Sequence, residues 1–580
     1  MIRPSNLLES RALATGVLII GGGGAAYRAA LAAHDAGADV LLVQKGNLGK
    51  SGSTAYGVAE MAGFNVPDGV ADPDDCPEEH LKDILEAGLG MADERLARLL
   101  AEGAVRVKDE LESWGVNFER TSAGRYLSVQ SCFSSRPRTH IIRGHGEPII
   151  KALLEQIRRR GIKIVENMMV TDLLIRDGIC AGAVAIRQDY PEALILRAGA
   201  VIVATGGAGQ LFKVTLNPPD ITGDGHAIAY RAGAEMVNME FMQAAVGFIH
   251  PVKNIFNAWL WGVYPLIANR DGKSFLEDYL RPGLGARQVM SEKTHYPFSC
   301  RDNSKYLEIA IQKELARGGG TEHGGVIIDF RHTDEKDLMR LPVGHTVREM
   351  WPITRDWMLR RGIDIRKVPL EISNFGHALN GGIRIDERTR STLPGLFAAG
   401  EVAGGPHGAD RLGGNMMVTC QVFGRMAGEE AAAFAEKHSE ITLSGVSAQE
   451  QIDKLKQKMG QKGTNRPETL KRELAEVMYD NLLVVRSAAS LERASAGIRN
   501  LRQTIQKVKV AGDIKSLTGL LELENLMTVS EMIVEAARYR KESRGSHYRE
   551  DFPEAGKDFD RPAFIQPSDE GPMLRLAPFS

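Results

Sequence analysis

A run of four glycines between an apolar segment and an alanine-rich one is the first feature of this 580-residue chain that could do chemistry. Leu18-Ile19-Ile20-Gly21-Gly22-Gly23-Gly24-Ala25-Ala26 satisfies the pattern G-x-G-x-x-A. There the first glycine, Gly21, makes a tight turn, and the second, Gly23, lets the backbone approach a pyrophosphate. A small residue at the last position, Ala26, lets the next helix pack closely on its strand. Backbone amides around these glycines, those of Gly24 and Ala25 among them, would meet the phosphates at the positive end of that helix. A dinucleotide site usually presents a carboxylate to the ribose ~20 residues further on. Here the second strand ends in Gln44-Lys45. Gln44 can still hydrogen-bond a ribose hydroxyl, and the missing carboxylate favours FAD over NAD.

Such a turn needs a strand before it and a helix after it, and the flanking residues supply both. Residues 16–20 read as a short buried parallel strand, 25–37 as an alanine-rich helix and 39–44 as a second strand. Downstream, 77–115 reads as helical, with leucines spaced among charges, and so does 147–160. The stretches 162–170 and 180–187 read as strands, and 200–204 as another buried strand ending in Thr205-Gly206-Gly207. Residues 250–365 differ in character: they hold four of the five tryptophans and no second nucleotide fingerprint, which marks an inserted lobe. The nucleotide-type pattern resumes at 395–403. Residues 447–545 read as long amphipathic helices in a bundle, and the stretch from 546, with seven prolines or glycines, as an extended surface tail.

Composition bounds the partners. The 72 basic and 74 acidic side chains nearly cancel, which argues against nucleic acid or an anionic membrane surface as a direct partner. Cys76, Cys132, Cys180, Cys300 and Cys420 are scattered, with no C-x-x-C pair. That argues against a disulfide framework and against a zinc or iron–sulfur site in this chain, and it fits a reducing compartment. The first apolar run leads straight into glycines and reads as a strand rather than a signal peptide. No stretch reaches the ~20 apolar residues that span a bilayer. The expectation is a soluble, cytoplasmic protein without a metal site, free to dock on the inner face of a membrane through partners.

Further motifs stand in a fixed order. Ala204-Thr205-Gly206-Gly207-Ala208-Gly209 follows a strand, and Thr222-Gly223-Asp224-Gly225-His226 comes soon after. Gly395-Leu396-Phe397-Ala398-Ala399-Gly400-Glu401 precedes His407-Gly408-Ala409-Asp410-Arg411-Leu412-Gly413-Gly414-Asn415. Glu542-Ser543-Arg544-Gly545-Ser546-His547-Tyr548-Arg549-Glu550-Asp551 stands near the end. Over nearly the whole chain this order resembles the succinate dehydrogenase/fumarate reductase flavoprotein family, which includes L-aspartate oxidase and adenylylsulfate reductase. The resemblance implies an α/β fold: a Rossmann-like FAD-binding domain (10–250 and 366–445), an inserted α+β capping domain (251–365), a C-terminal helical domain (446–545) and a tail (546–580). It implies FAD contacts at Gly21, Gly23, Gly24, Ala25, Gln44, Lys45, Ser51, Ser53, Thr54, Ala204, Thr205, Gly206, Asp224, Glu401, Arg411, Gly414 and Asn415. It also implies electron transport through an iron–sulfur subunit, in an oligomeric assembly.

A reductase of 2-enoates must hold a carboxylate, present a carbon to the flavin and protonate the neighbouring carbon. The resemblance gives carboxylate binding to His377, in His377-Ala378-Leu379-Asn380-Gly381-Gly382, and to Arg411; it gives proton donation to Arg301, in Ser299-Cys300-Arg301-Asp302. An arginine acid needs a relay that reprotonates it, since guanidinium holds its proton above pH ~12.

Departures from the family pattern matter as much. Members with covalent flavin carry S-H-T where this chain has Gly52-Ser53-Thr54, so FAD is expected to be bound non-covalently and the reducing direction favoured. The family's Q-F-H-P-T-G segment reads Gln243-Ala244-Ala245-Val246-Gly247, and its T-E-G stretch is missing. Trp259 and Trp261 stand nearby, either as a less polar end to the pocket or as core of the lobe, and His250-Pro251 offers a displaced histidine. The expected substrate is therefore fumarate or a bulkier unsaturated acid. The alternatives are a stand-alone flavin oxidase of the aspartate oxidase type, adenylylsulfate reductase-like chemistry, and a non-catalytic subunit.

Overall fold

The computed structural model describes residues 9–56, 59, 61–121, 123–342, 345–438 and 448–579. The first eight residues, which bear on the expectation of no signal peptide, lie outside these. So does 439–447, where the helical region is expected to begin.

The chain opens with β1 (Glu9–Ile20), α1 (Gly24–Asp35) and β2 (Val40–Val43). After α2 (Pro77–Gly88), α3 (Glu94–Ser113) and α4 (Glu147–Arg160) come β3 (Lys163–Val165), β4 (Met168–Arg176), β5 (Ile179–Arg187) and β6 (Glu192–Val203). The helical run expected over 77–115 is broken, because Leu89 and Gly90 take left-handed backbone and Asp93 then caps α3 by accepting from the Arg95 amide. The strand expected over 162–170 divides at Asn167, whose φ is 56°. β1 begins seven residues before the expected 16–20, since its first half pairs in parallel with the outer half of β6, from Glu9 opposite Glu192 onward. Neighbours run in the order β3-β2-β1-β6-β5-β4; the pairs from β3 to β6 are parallel and those beyond antiparallel.

After α5 (Asp224–Arg231) and the short β7 (Met236–Val237), a second five-stranded sheet begins with β8 (Met242–His250) and β9 (Asn254–Ile255). It continues with β10 (Leu266–Ala268), β11 (Val326–Asp329) and, beyond α6 (Thr346–Leu359), β12 (Leu370–Leu379), in the order β9-β8-β12-β11-β10. A separate apolar core stands on it, built from Phe248, Phe256, Trp261, Phe330, Trp351 and Trp357, with Trp259 packed against it. This is the lobe that the tryptophans mark. Its two long strands, β8 and β12, lie wholly outside 251–365, because a sheet needs both strands to carry the insertion.

The chain then adds β13 (Gly382–Arg384), and β14 (Leu396–Ala398) returns to the first sheet beside β6; β15 (Ala403–Gly404) and α7 (Asn415–Lys437) follow. α7 lies on α1, where Gly428 leaves room for the α1 backbone: a Cβ there would sit 2.4 Å from the Ala29 carbonyl oxygen. The helical region comprises α8 (Gln449–Met459), α9 (Pro467–Leu482), α10 (Ala488–Thr504) and α11 (Ile514–Tyr539). α11 departs from the amphipathic expectation: it is buried along most of its length, between α9 and α10 on one side and α5 on the other. The tail departs too. β16 (Ala563–Ser568) and β17 (Gly571–Leu576) form a hairpin that joins β7, β13 and β15 in a third sheet, with Ala563, Phe564 and Ile565 buried. Its prolines and glycines punctuate the hairpin, while the apolar run that buries Phe564 and Ile565 decides its fate. No helix among the described residues is long and apolar enough to cross a membrane.

Candidate active site

One continuous cavity gathers most of the expected residues. Its wall is made by residues 21–25 after β1, Lys45 and residues 51–54 after β2, residues 204–206 after β6, Asp224 at the start of α5, His377 on β12, and then Glu401 and Arg411. It lies beyond the carboxyl ends of the parallel strands, where open α/β sheets bind ligands.

The glycine turn is fixed by close approach. Gly21 has φ 138°, and a Cβ there would lie 2.1 Å from the Ala204 carbonyl oxygen. At Gly23, by contrast, a Cβ would meet no protein atom within 4 Å. Gly23 caps α1 without a side-chain hydrogen bond, and the first turn of α1 holds no acidic residue, so its amides and dipole are available to an anion. α7 meets the cavity in the same way. Gly414 caps it with φ 83° and no side-chain bond, and Met416 and Met417 of its first turn are on the wall.

A charged network closes the opposite side. Lys45 Nζ lies 2.9 Å from Asp224 Oδ2, 2.6 Å from Thr222 Oγ1 and 2.6 Å from Glu522 on α11. Burial opposes its charge, but the two carboxylates outweigh burial and raise its pKa. Asn525, one turn further along α11, donates to the other Asp224 oxygen at 2.8 Å. The helical region therefore holds two of the charged residues that the cofactor reading relies on, Lys45 and Asp224. Ser51 donates to the Asn47 carbonyl and Ser53 to Asn217 Oδ1. Thr205 Oγ1 is buried on the wall without a partner.

At the other end, Arg411 is buried and makes no ion pair with any described residue. Its Nη1 donates to the Leu412 carbonyl, its Nη2 lies 3.3 Å from His377 Nε2, and its Nε has no partner. A guanidinium has no acceptor, so His377 Nε2 must accept and the imidazole proton sits on Nδ1. Burial first, then Arg411 and His145, push the His377 pKa down to about 3. Glu401 accepts from the Leu379 amide at 3.1 Å, and burial, opposed by that bond and by Arg411, pushes its carboxyl up to about 7. A buried, unpaired cation beside a neutral imidazole is suited to receiving a carboxylate.

Four expected residues are placed off this wall. Gln44 is buried behind Gly22, off the cavity wall, where its Oε1 accepts from Tyr27 Oη and its Nε2 donates to the Gly46 carbonyl. Gly414, the cap of α7, does not itself line the wall, and Asn415 turns its side chain to Asn65 and His80, which its Oδ1 meets at 2.6 and 2.9 Å. Arg301 pairs with buried Asp410 at 3.0 Å, donates to the Ala87 carbonyl and lies over the Phe133 ring. Its partner is the chain neighbour of Arg411, so Arg301 stands next to the Arg411 site rather than on its surface. Nor do the tryptophans or His250 reach the cavity: Trp259 and Trp261 belong to the core of the lobe, and His250 is exposed. The apolar wall beside His377 comes instead from Leu216, Ile255 and Phe375.

His145 is absent from the residues that the motifs single out. It lies on the wall with Nδ1 buried and unpartnered, and burial lowers its pKa to about 4. Its one signal is the Gly144-His145-Gly146 turn, just after the donor-rich stretch 135–140. That stretch is structural: Arg138 is buried on Asp75 and Asp83, and His140 meets Asp68.

The FAD binding domain family matches residues 16–417 and the fumarate reductase flavoprotein C-terminal family residues 471–571. One component of the fumarate reductase (CoM/CoB) of Methanothermobacter marburgensis is 35% identical over 96% of this chain and 97% of that protein. L-aspartate oxidase of Streptomyces coelicolor is 31% identical over 93% of this chain and 89% of its own. A solved quinol-fumarate reductase with menaquinol molecules superposes with a TM-score of 0.84 at 25% identity, covering 98% of this chain and 99% of that one.

Proposed function

The chain belongs to the fumarate reductase/succinate dehydrogenase flavoprotein family, and from that premise we propose that it is the catalytic component of a reductase of unsaturated carboxylates, with fumarate as the first substrate. It is an FAD-dependent oxidoreductase. The residues present fit that cofactor: two uncapped helix N-termini, an open space at Gly23 and the unpartnered Thr205 hydroxyl face one cavity. Gly21, Gly23, Gly24 and Ala25 would take the pyrophosphate, and Lys45, Asp224 and Glu401 the polar groups flanking it. Ser53 has no nucleophilic ring nitrogen, which supports non-covalent binding. The division into FAD-binding, capping and helical parts is proposed on the same footing.

The observation that carries the substrate reading is Arg411, buried, unpaired and 3.3 Å from His377. When bound, FAD supplies two-electron chemistry at a carbon–carbon bond. Arg411 would hold the substrate carboxylate. His377 would steady it, and a bound anion would favour a proton on Nε2. Leu216, Ile255 and Phe375 would exclude water beside the reacting carbons. Arg301 does not line the cavity, so to deliver the proton it would turn from the Phe133 ring toward the substrate, and it would recover the proton through Asp410, whose carboxyl burial pushes upward against the pull of Arg301. The Methanothermobacter relative is named as one subunit of its enzyme, which supports a larger assembly for this chain. An iron–sulfur partner would carry the electrons there, since the five cysteines here are dispersed and free.

The test is anaerobic. Flavin reduced with dithionite and freed of excess reductant should regain its yellow band on addition of fumarate, and Arg411→Met should abolish the return. A band that stays bleached with fumarate but returns with another enoate would keep the reductase and replace the substrate. Reoxidation by oxygen alone at comparable rate would favour the oxidase reading.

A further inference from the structure

His250, the histidine that does not enter the cavity, belongs to another cluster. It is the last residue of β8, directly opposite Glu371 on β12, and His323 comes from the turn before β11. One ligand atom from each of His250, His323 and Glu371 lies within 4.8 Å of the others. The two imidazole rings are stacked, with centroids 3.7 Å apart and planes 10° from parallel. His323 Nδ1 is 2.8 Å from Glu371 Oε1, and Thr321 Oγ1 donates to the second Glu371 oxygen. No lysine or arginine among the described residues pairs with Glu371, whose side chain is only 15% exposed. A largely buried carboxylate that faces two imidazoles and no fixed cation is a set of donors in want of one.

We propose that His250, His323 and Glu371 form a binding site for a divalent transition-metal cation of the zinc class on the capping lobe. Two imidazole nitrogens and a carboxylate oxygen are borderline donors that suit such an ion, with bonds of about 2.0–2.2 Å and a fourth position left to water. Glu322, 4.0 Å from His323 Nε2, is a further oxygen within reach. The imidazole lone pairs must converge, so the rings open from their parallel stack, for which their exposure leaves room. Thr321 fixes the carboxylate from behind, the part that outer-shell donors play in metal sites. The ion would clamp the end of β8, the start of β12 and the turn before β11. None of the three ligands lines the active-site cavity, so the role is a structural one in the lobe. The expectation of no metal rests on the cysteines, and this cluster uses none of them.

The test uses the FAD-loaded protein, stripped with chelator, given one equivalent of Zn2+ and desalted. Wild type should retain about one zinc per chain by mass spectrometry and unfold at a higher temperature with zinc than without. His250→Ala, His323→Ala and Glu371→Gln should each lower affinity by roughly tenfold or more, with flavin content and fumarate-driven reoxidation unchanged. Retention in the histidine variants equal to wild type would assign the zinc to thiols and overturn the site, as would no retention in wild type. Should a variant fail to fold, Co2+ in the wild-type protein decides: a ligand-field spectrum without thiolate charge transfer supports the site, and a thiolate band rejects it.

Discussion

Glu401 and Arg301 show how much of the proposed chemistry depends on single environments. The Glu401 carboxyl is raised from 4.5 to about 7 by burial, so folding favours its neutral form. The stability it contributes is fully present below pH 4.5 and is lost as pH rises through 7. In the FAD-free protein, Glu401→Gln should therefore melt higher than wild type at pH 8, with the advantage gone at about pH 4.5. An equal offset at both pH values would dismiss the shifted carboxyl. Arg301 is held by Asp410 and the Phe133 ring, away from the cavity wall. If it delivers the proton, Arg301→Ala should lower fumarate turnover by about 10²–10⁴-fold. Dicarboxylate binding, read from the flavin spectrum, should persist because Arg411 holds the carboxylate. Turnover close to that of wild type would reduce Arg301 to a salt bridge.

Among the elements, α11 joins a region with no nucleotide motif to the cofactor cavity. Glu522 and Asn525 sit one turn apart on it and reach Lys45 and Asp224. Glu522→Gln should weaken FAD binding by about 1–3 kcal/mol, roughly 5- to 150-fold, without moving the secondary structure. Unchanged FAD affinity in a titration followed by flavin fluorescence would show that the network is spent on packing alone. The β1–α1 turn makes the opposite demand. Gly21→Ala places a methyl 2.1 Å from a main-chain oxygen at a backbone angle that L residues avoid, so the strand end must shift. Purified Gly21→Ala should carry little or no flavin; near-stoichiometric FAD would contradict the close-packed turn.

For the molecule as a whole, buried neutral histidines set the acid limit. Burial lowers His80, His145 and His226 to about 4, and His377 and His407 to about 3. Such groups stabilise the fold above their unfolded pKa of about 6.5, and this contribution is lost as pH falls toward 3–4, at about 2 kcal/mol per histidine by pH 5. The melting temperature should therefore drop between about pH 6.5 and 5, and an unchanged value would count against the buried neutral state. The C-terminal hairpin is equally global. Ile565 is fully buried where the third sheet meets the main core, so Ile565→Ala should cost about 2–5 kcal/mol in denaturant unfolding. A loss too small to measure would restore the picture of a loose tail.

Periodicity and turn chemistry are local, and they suffice for the inner half of β1, for α1, β2 and α4; composition marks the inserted lobe, and the family resemblance, rather than any local pattern, points to His377 and Arg411, which line one cavity. They cannot reveal where a side chain spends its hydrogen bonds. Gln44 has the right place in sequence, but Tyr27 and the Gly46 carbonyl occupy both ends of its amide. Arg301 has the right motif, but Asp410 holds it off the wall. The fate of the tail, the burial of α11 and the convergence of His250 with His323 and Glu371 rest on pairings between residues from tens to hundreds of positions apart. Alternation and composition alone cannot select those partners; the tertiary structure does, because each partner is fixed by what the rest of the chain has already buried.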